Sequence, residues 1–138
     1  MRRFKIIFSV LVISIVAWAN SLGAQESQFL AKLKDLQNSG EKLYGIKELP
    51  VDPSAGFKEK YLFFVEQLID HSDPSVGTYK QRVIVGIRDI NAPNVIVTEG
   101  YGAAYALNPK YREEVSRLLD ANEIFVEHRY FLESTPFV

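Results

Sequence analysis

Apolar residues along this chain change their spacing from the period of a helix to the period of a strand and back. Ser27 to Asn38 carries Phe29, Leu30, Leu33 and Leu36 with Lys32, Lys34 and Asp35 between them, which predicts a short amphipathic helix closed by Ser39-Gly40. Glu48 to Gly56 holds Pro50, Pro53 and Gly56 without any period, and predicts an extended linker or surface strap. Tyr61 to His71 opens as a continuous apolar run, and Thr78 to Ile90 sets Val83, Val85 and Ile87 opposite Arg82, Ile84 and Arg88. With the turn-forming Ser72-Asp73-Pro74-Ser75-Val76-Gly77 between them, these segments predict an antiparallel pair of strands.

Val95 to Thr98 is too apolar for a one-sided sheet and too short for a helix, as expected of a central parallel strand. A Gly-rich turn, Glu99-Gly100-Tyr101-Gly102, follows its carboxyl end. Asn108 suits an N-cap and Pro109 the first helical position; Tyr111, Val115, Leu118 and Leu119 then predict a helix from Pro109 to Ala121. Ile124, Phe125 and Val126 supply a second buried strand. Two strands joined by one crossover helix form the elementary unit of a parallel sheet, and such sheets are larger than one unit. The expected class is therefore α/β, with residues 25-60 as a helix and linker and 61-138 as the leading, incomplete part of a sheet domain.

Composition narrows the functions. The chain has 138 residues, 47% hydrophobic and 24% charged, at a net charge of −1, so it carries no basic field for phosphate backbones and nucleic acid is not an expected partner. The absence of cysteine excludes disulfides, zinc-thiolate sites and thiol catalysis. Arg2, Arg3 and Lys5 precede an uncharged apolar run from Ile6 to Ala19, and Leu22-Gly23-Ala24 leads into polar sequence, the order of a signal peptide cleaved after Ala24. That run is shorter than the roughly 20 residues of a membrane-spanning helix. A secreted or periplasmic chain with no stable membrane insertion is expected after cleavage. His71 beside Asp70 and Asp73 reads as turn chemistry rather than a metal site, and His128 between Glu127 and Arg129 as part of a structural hydrogen-bonded network. No metal or cofactor is expected.

The segments FVEQLIDHSDPSVGTYKQRVIV, VTEGYG and LLDANEIFVEHRYFLESTP resemble the secreted bacterial tripeptidyl aminopeptidases, serine peptidases of the α/β-hydrolase fold. More distantly, Asp70-His71, Gln81-Arg82 and Glu127-His128-Arg129-Tyr130 are similar to the prolyl carboxypeptidase group. The resemblance spans about Leu62 to Pro136. It implies an N-terminal piece of a peptidase that hydrolyses peptide bonds near free N-termini, with peptide substrates bound by the complete enzyme. The family's Gly-x-Ser-x-Gly nucleophile elbow occurs nowhere in the chain, and no catalytic residue is assigned. In this fold one oxyanion-hole N–H comes from the loop after the third strand. The backbone N–H of Tyr101, less so that of Gly100, is the candidate donor, a glycine easing the turn. Glu99 is the candidate carboxylate for a substrate's free amino group, the plainer reading being a solvated or Arg-paired side chain. The alternative for the whole chain is a secreted binding or interaction protein without activity.

Overall fold

The computed structural model describes residues 26–98 and 100–136; the expected signal peptide lies outside them. Helix α1 (Gln28–Asn38) starts at the N-cap Ser27, whose hydroxyl accepts the Leu30 N–H at 3.0 Å. Five strands follow: β1 (Leu43–Leu49), β2 (Glu59–Leu68), β3 (Thr78–Ile87), β4 (Asn94–Thr98) and β5 (Asn122–Val126), with a short helix α2 (Glu114–Leu118) between the last two. They form one sheet in the order β1-β2-β3-β5-β4. β1, β2, β3 and β5 pair antiparallel in turn, and β4 lies parallel to β5. The antiparallel pair and the parallel unit expected from the sequence are both present, and the result is a mixed α/β structure.

Two expectations need correction. The chain before the predicted linker is a strand: β1 pairs with β2, and a register shift between Tyr44 and Lys47, with Gly45 at φ 61°, puts Leu43 and Ile46 against the same core cluster. A bulge of this kind breaks the two-residue period that reveals a strand. The helix expected from Pro109 to Ala121 shrinks to α2. Asn108 caps only a turn, its side chain taking the Lys110 N–H at 3.0 Å, and Glu113 at the head of α2 is extended. β4 lies at one edge of the described sheet, with Ile96 62% exposed.

Both faces of the sheet carry a core. On one, Phe29, Leu30 and Leu33 of α1 pack on Tyr61, Phe63, Val83 and Val85. Tyr61 also ties the helix to the sheet, its hydroxyl 3.1 Å from Ser27 Oγ and donating to Glu59 at 2.6 Å; burial and that carboxylate push the phenol up to about 12. On the other face, Ile84 and Phe125 pack under Ala103 and Ala106 of the β4–β5 crossover. Burying side chains of this size stabilises the fold by about 1.5–3 kcal/mol each. This second face carries the crossover, and with it the loop where the sequence places its candidate site.

Candidate functional site

Gly100 and Tyr101 emerge at the carboxyl end of β4, the end of an open α/β sheet at which ligands gather. Glu99 lies outside the described residues. Tyr101 is 73% exposed, its ring edge-on to Phe131 at 5.3 Å. Its carbonyl accepts the His128 N–H at 3.3 Å, while the N–H groups of Gly100 and Tyr101 meet no acceptor among the described residues. A backbone donor without an acceptor among the described residues is available to an external oxygen.

A side chain at Gly100 would meet nothing within 4 Å. At Gly102 a Cβ would lie 2.5 Å from Leu132 Cδ1 and 3.6 Å from Glu127 Oε1, so close approach of the last turn, rather than a left-handed backbone, fixes this glycine.

Beneath the loop sits a fully buried carboxylate. The strand alternation that turns Phe125 inward also turns Glu127 inward. Glu127 Oε1 accepts the Ala103 N–H at 3.0 Å and a bond from the Arg82 guanidinium; Oε2 accepts the Ser134 hydroxyl at 2.9 Å. Ser134 Oγ in turn accepts the Arg82 N–H at 2.9 Å, and Gln81 Nε2 donates to the Glu127 carbonyl at 2.8 Å. Arg82 Nε alone in this cluster is buried without a partner among the described residues. The Ser134 hydroxyl faces a carboxylate and an amide, with no imidazole to take its proton, so it is not an activated nucleophile.

Both histidines lie at the surface. His128 is exposed, with Nδ1 2.7 Å from the Arg129 carbonyl. Arg129 donates to the Ile69 and Leu68 carbonyls at 3.2 and 3.3 Å and lies over the Tyr79 ring, while His71 Nε2 stands 3.5 Å from its guanidinium. Asp70 and Asp73 accept the N–H groups of Ser72 and Ser75, as turn residues do. The buried network is thus built on Glu127 with Arg82, Ala103 and Ser134, while Arg129 bonds the end of β2 and the His128 ring stands outside it. What the sequence reading missed is Ser134, which gave no signal, and the inward Glu127, which the alternation past Phe125 does signal.

A second set of buried charges lies at the other end of β5. Lys60, Gly86 and Glu123 stand in one row across β2, β3 and β5. Lys60 Nζ donates to the Asn108 carbonyl at 3.1 Å; the Glu123 carboxylate accepts Ser116 Oγ and the Glu113 N–H, leaving Oε2 unpartnered among the described residues. Burial lowers the lysine and raises the glutamate from their ordinary values. Their place at the amino end of β5, away from the loop, assigns them to holding the crossover rather than to chemistry.

Comparison with known proteins gives the family. Over 118 residues the chain is 30% identical to a prolyl tri/tetrapeptidyl aminopeptidase of Streptomyces mobaraensis, an alignment covering 86% of this chain and 24% of that protein. The chain thus spans about a quarter of the length of this curated relative. Residues 31–138 match the sequence model of the PS-10 peptidase S37 family. On that match, which takes in the sheet, the exposed loop and the buried carboxylate beneath it, the chain belongs to the PS-10 peptidase S37 family.

Proposed function

We propose that this chain is the oxyanion-loop portion of a secreted serine peptidase of the α/β-hydrolase fold, acting on peptides near their free N-termini, with the nucleophile, acid and base supplied by sequence outside these 138 residues. The observation that carries the reading is the placement of the Tyr101 and Gly100 N–H groups, free of acceptors among the described residues, at the carboxyl end of β4. In acyl transfer a preplaced donor about 3 Å from the developing oxyanion lowers the barrier by roughly 3 to 4 kcal/mol. Such a donor only assists a nucleophile, and the chain holds no Gly-x-Ser-x-Gly elbow. Family membership and the aminopeptidase relative support peptide as the substrate class. Glu99, next to the loop in sequence, is the carboxylate available to pair with a substrate's terminal ammonium.

Serine-directed fluorophosphonate tests the division of labour. The purified 138-residue chain is expected to remain unlabelled and to release no chromophore from a tripeptidyl substrate. A longer reading frame continuing into a Gly-x-Ser-x-Gly sequence is expected to label at that serine. Stoichiometric labelling of the short chain, or unrelated sequence in the longer frame, overturns the proposal.

A further inference from the structure

We infer that the Glu127 carboxylate is a positioning residue that sets the placement of the loop after β4, and with it the Tyr101 N–H. The inference rests on the oxyanion role proposed above for that loop. A buried carboxylate is costly unless its partners satisfy it, and an ion pair with Arg82 uses only part of its capacity. The remainder goes to two segments that flank the loop. One oxygen holds the Ala103 N–H at 3.0 Å; the other holds the Ser134 hydroxyl at 2.9 Å, in the turn that brings Leu132 onto Gly102. The His128 N–H, next along the chain from Glu127, reaches back to the Tyr101 carbonyl at 3.3 Å. Tyr101 and Ala103 are thus both anchored to this short stretch, and Gly102 between them has no room for a side chain. Ser134 locks the arrangement to β3 by accepting the Arg82 N–H at 2.9 Å. Removing the carboxylate releases the loop from beneath and also leaves the buried Arg82 guanidinium of β3 without its counter-charge.

The test separates loop placement from global stability and from the oxyanion reading. Glu127→Gln keeps the shape and one acceptor but loses the charge; Ser134→Ala, which keeps the ion pair, removes the donor to Glu127 and the acceptor of the Arg82 N–H, and serves if the first variant does not fold. Amide hydrogen exchange is read at His128, whose acceptor is in the loop, and at Leu62 and Ile84, paired across β2 and β3. Exchange at His128 is expected to quicken about tenfold beyond any change at Leu62 and Ile84, because the local opening becomes easier in addition to the global loss from unpairing Arg82. Unchanged exchange at His128 in a folded variant overturns the inference. In the longer peptidase, Glu127→Gln is expected to lower kcat with KM held, the signature of an interaction used in the transition state. Quickened exchange with unaltered kcat would leave the positioning role standing and remove the loop from the oxyanion site.

Discussion

Glu123 and Glu127 face the same side of β5 and are both fully buried, yet their surroundings set them apart. Glu127 has the Arg82 guanidinium, an amide and a hydroxyl; Glu123 has an amide and a hydroxyl but, among the described residues, no cation in ion-pairing reach, since Lys60 is engaged by the Asn108 carbonyl. Burial therefore raises Glu123 above its ordinary 4.5. A raised folded-state value means that the native state binds the proton more readily than the unfolded chain. Its contribution to stability is full below pH 4.5 and is lost as pH rises through the folded value. Lys60 runs the other way: its depressed value gives a contribution present above 10.5 and lost as pH falls through the folded value. Near neutrality both charges weigh on the fold. Glu123→Gln cannot ionise, so its urea midpoint relative to the unaltered chain is expected to rise between pH 4.5 and neutrality. A difference independent of pH contradicts this account of Glu123.

Elements were legible where local pattern and tertiary packing agree. Helix α1 and strands β2, β3 and β5 appear close to where their periods place them, because each buries the face its pattern marks. Strand β1 was hidden by the bulge at Gly45, and the crossover helix was over-read because periodicity cannot see what Arg112 does. That guanidinium donates to the Ala55, Ser116 and Ala121 carbonyls at 3.3, 2.9 and 3.3 Å and lies over the Phe57 ring, drawing the stretch before α2 out of helical geometry. Tertiary hydrogen bonds here override a weak local propensity. The candidate loop could be located from its place after a strand, whereas its supporting network could not: Ser134 is distant in sequence from Arg82 and nothing local marks it. Arg112→Leu preserves apolar contact with Phe57 but leaves three carbonyls without this donor. It is expected to destabilise the chain by about 1–3 kcal/mol in urea denaturation. A change within about 0.5 kcal/mol, the range of ordinary surface substitutions, indicates that water replaces the guanidinium without loss.

For the molecule as a whole, the strand order leaves β4 at one edge of the described sheet, opposite β1, with backbone donors and acceptors available to another strand. Apolar groups accompany that edge: Ile96 on β4 is exposed, and on α2 and just after it Val115, Leu118 and Leu119 lie 54%, 77% and 57% exposed. These are the residues whose spacing predicts a buried helix face, and the described residues give that face nothing to pack on. In the proposed peptidase, the strand bearing the nucleophile would pair with β4. The 138-residue chain by itself is therefore expected to self-associate, and to be less stable than the usual 5–15 kcal/mol of a domain with its core closed. Charge on an edge strand opposes such pairing. Ile96→Lys places one where the side chain is already in solvent, so it is expected to suppress self-association while changing stability by less than about 0.5 kcal/mol. Sedimentation velocity across a concentration series, with urea denaturation alongside, reads both quantities. A parent chain that stays monomeric at high concentration, or an Ile96→Lys variant that associates as before, means that the β4 edge and the apolar residues beside it are not the surface that seeks a partner.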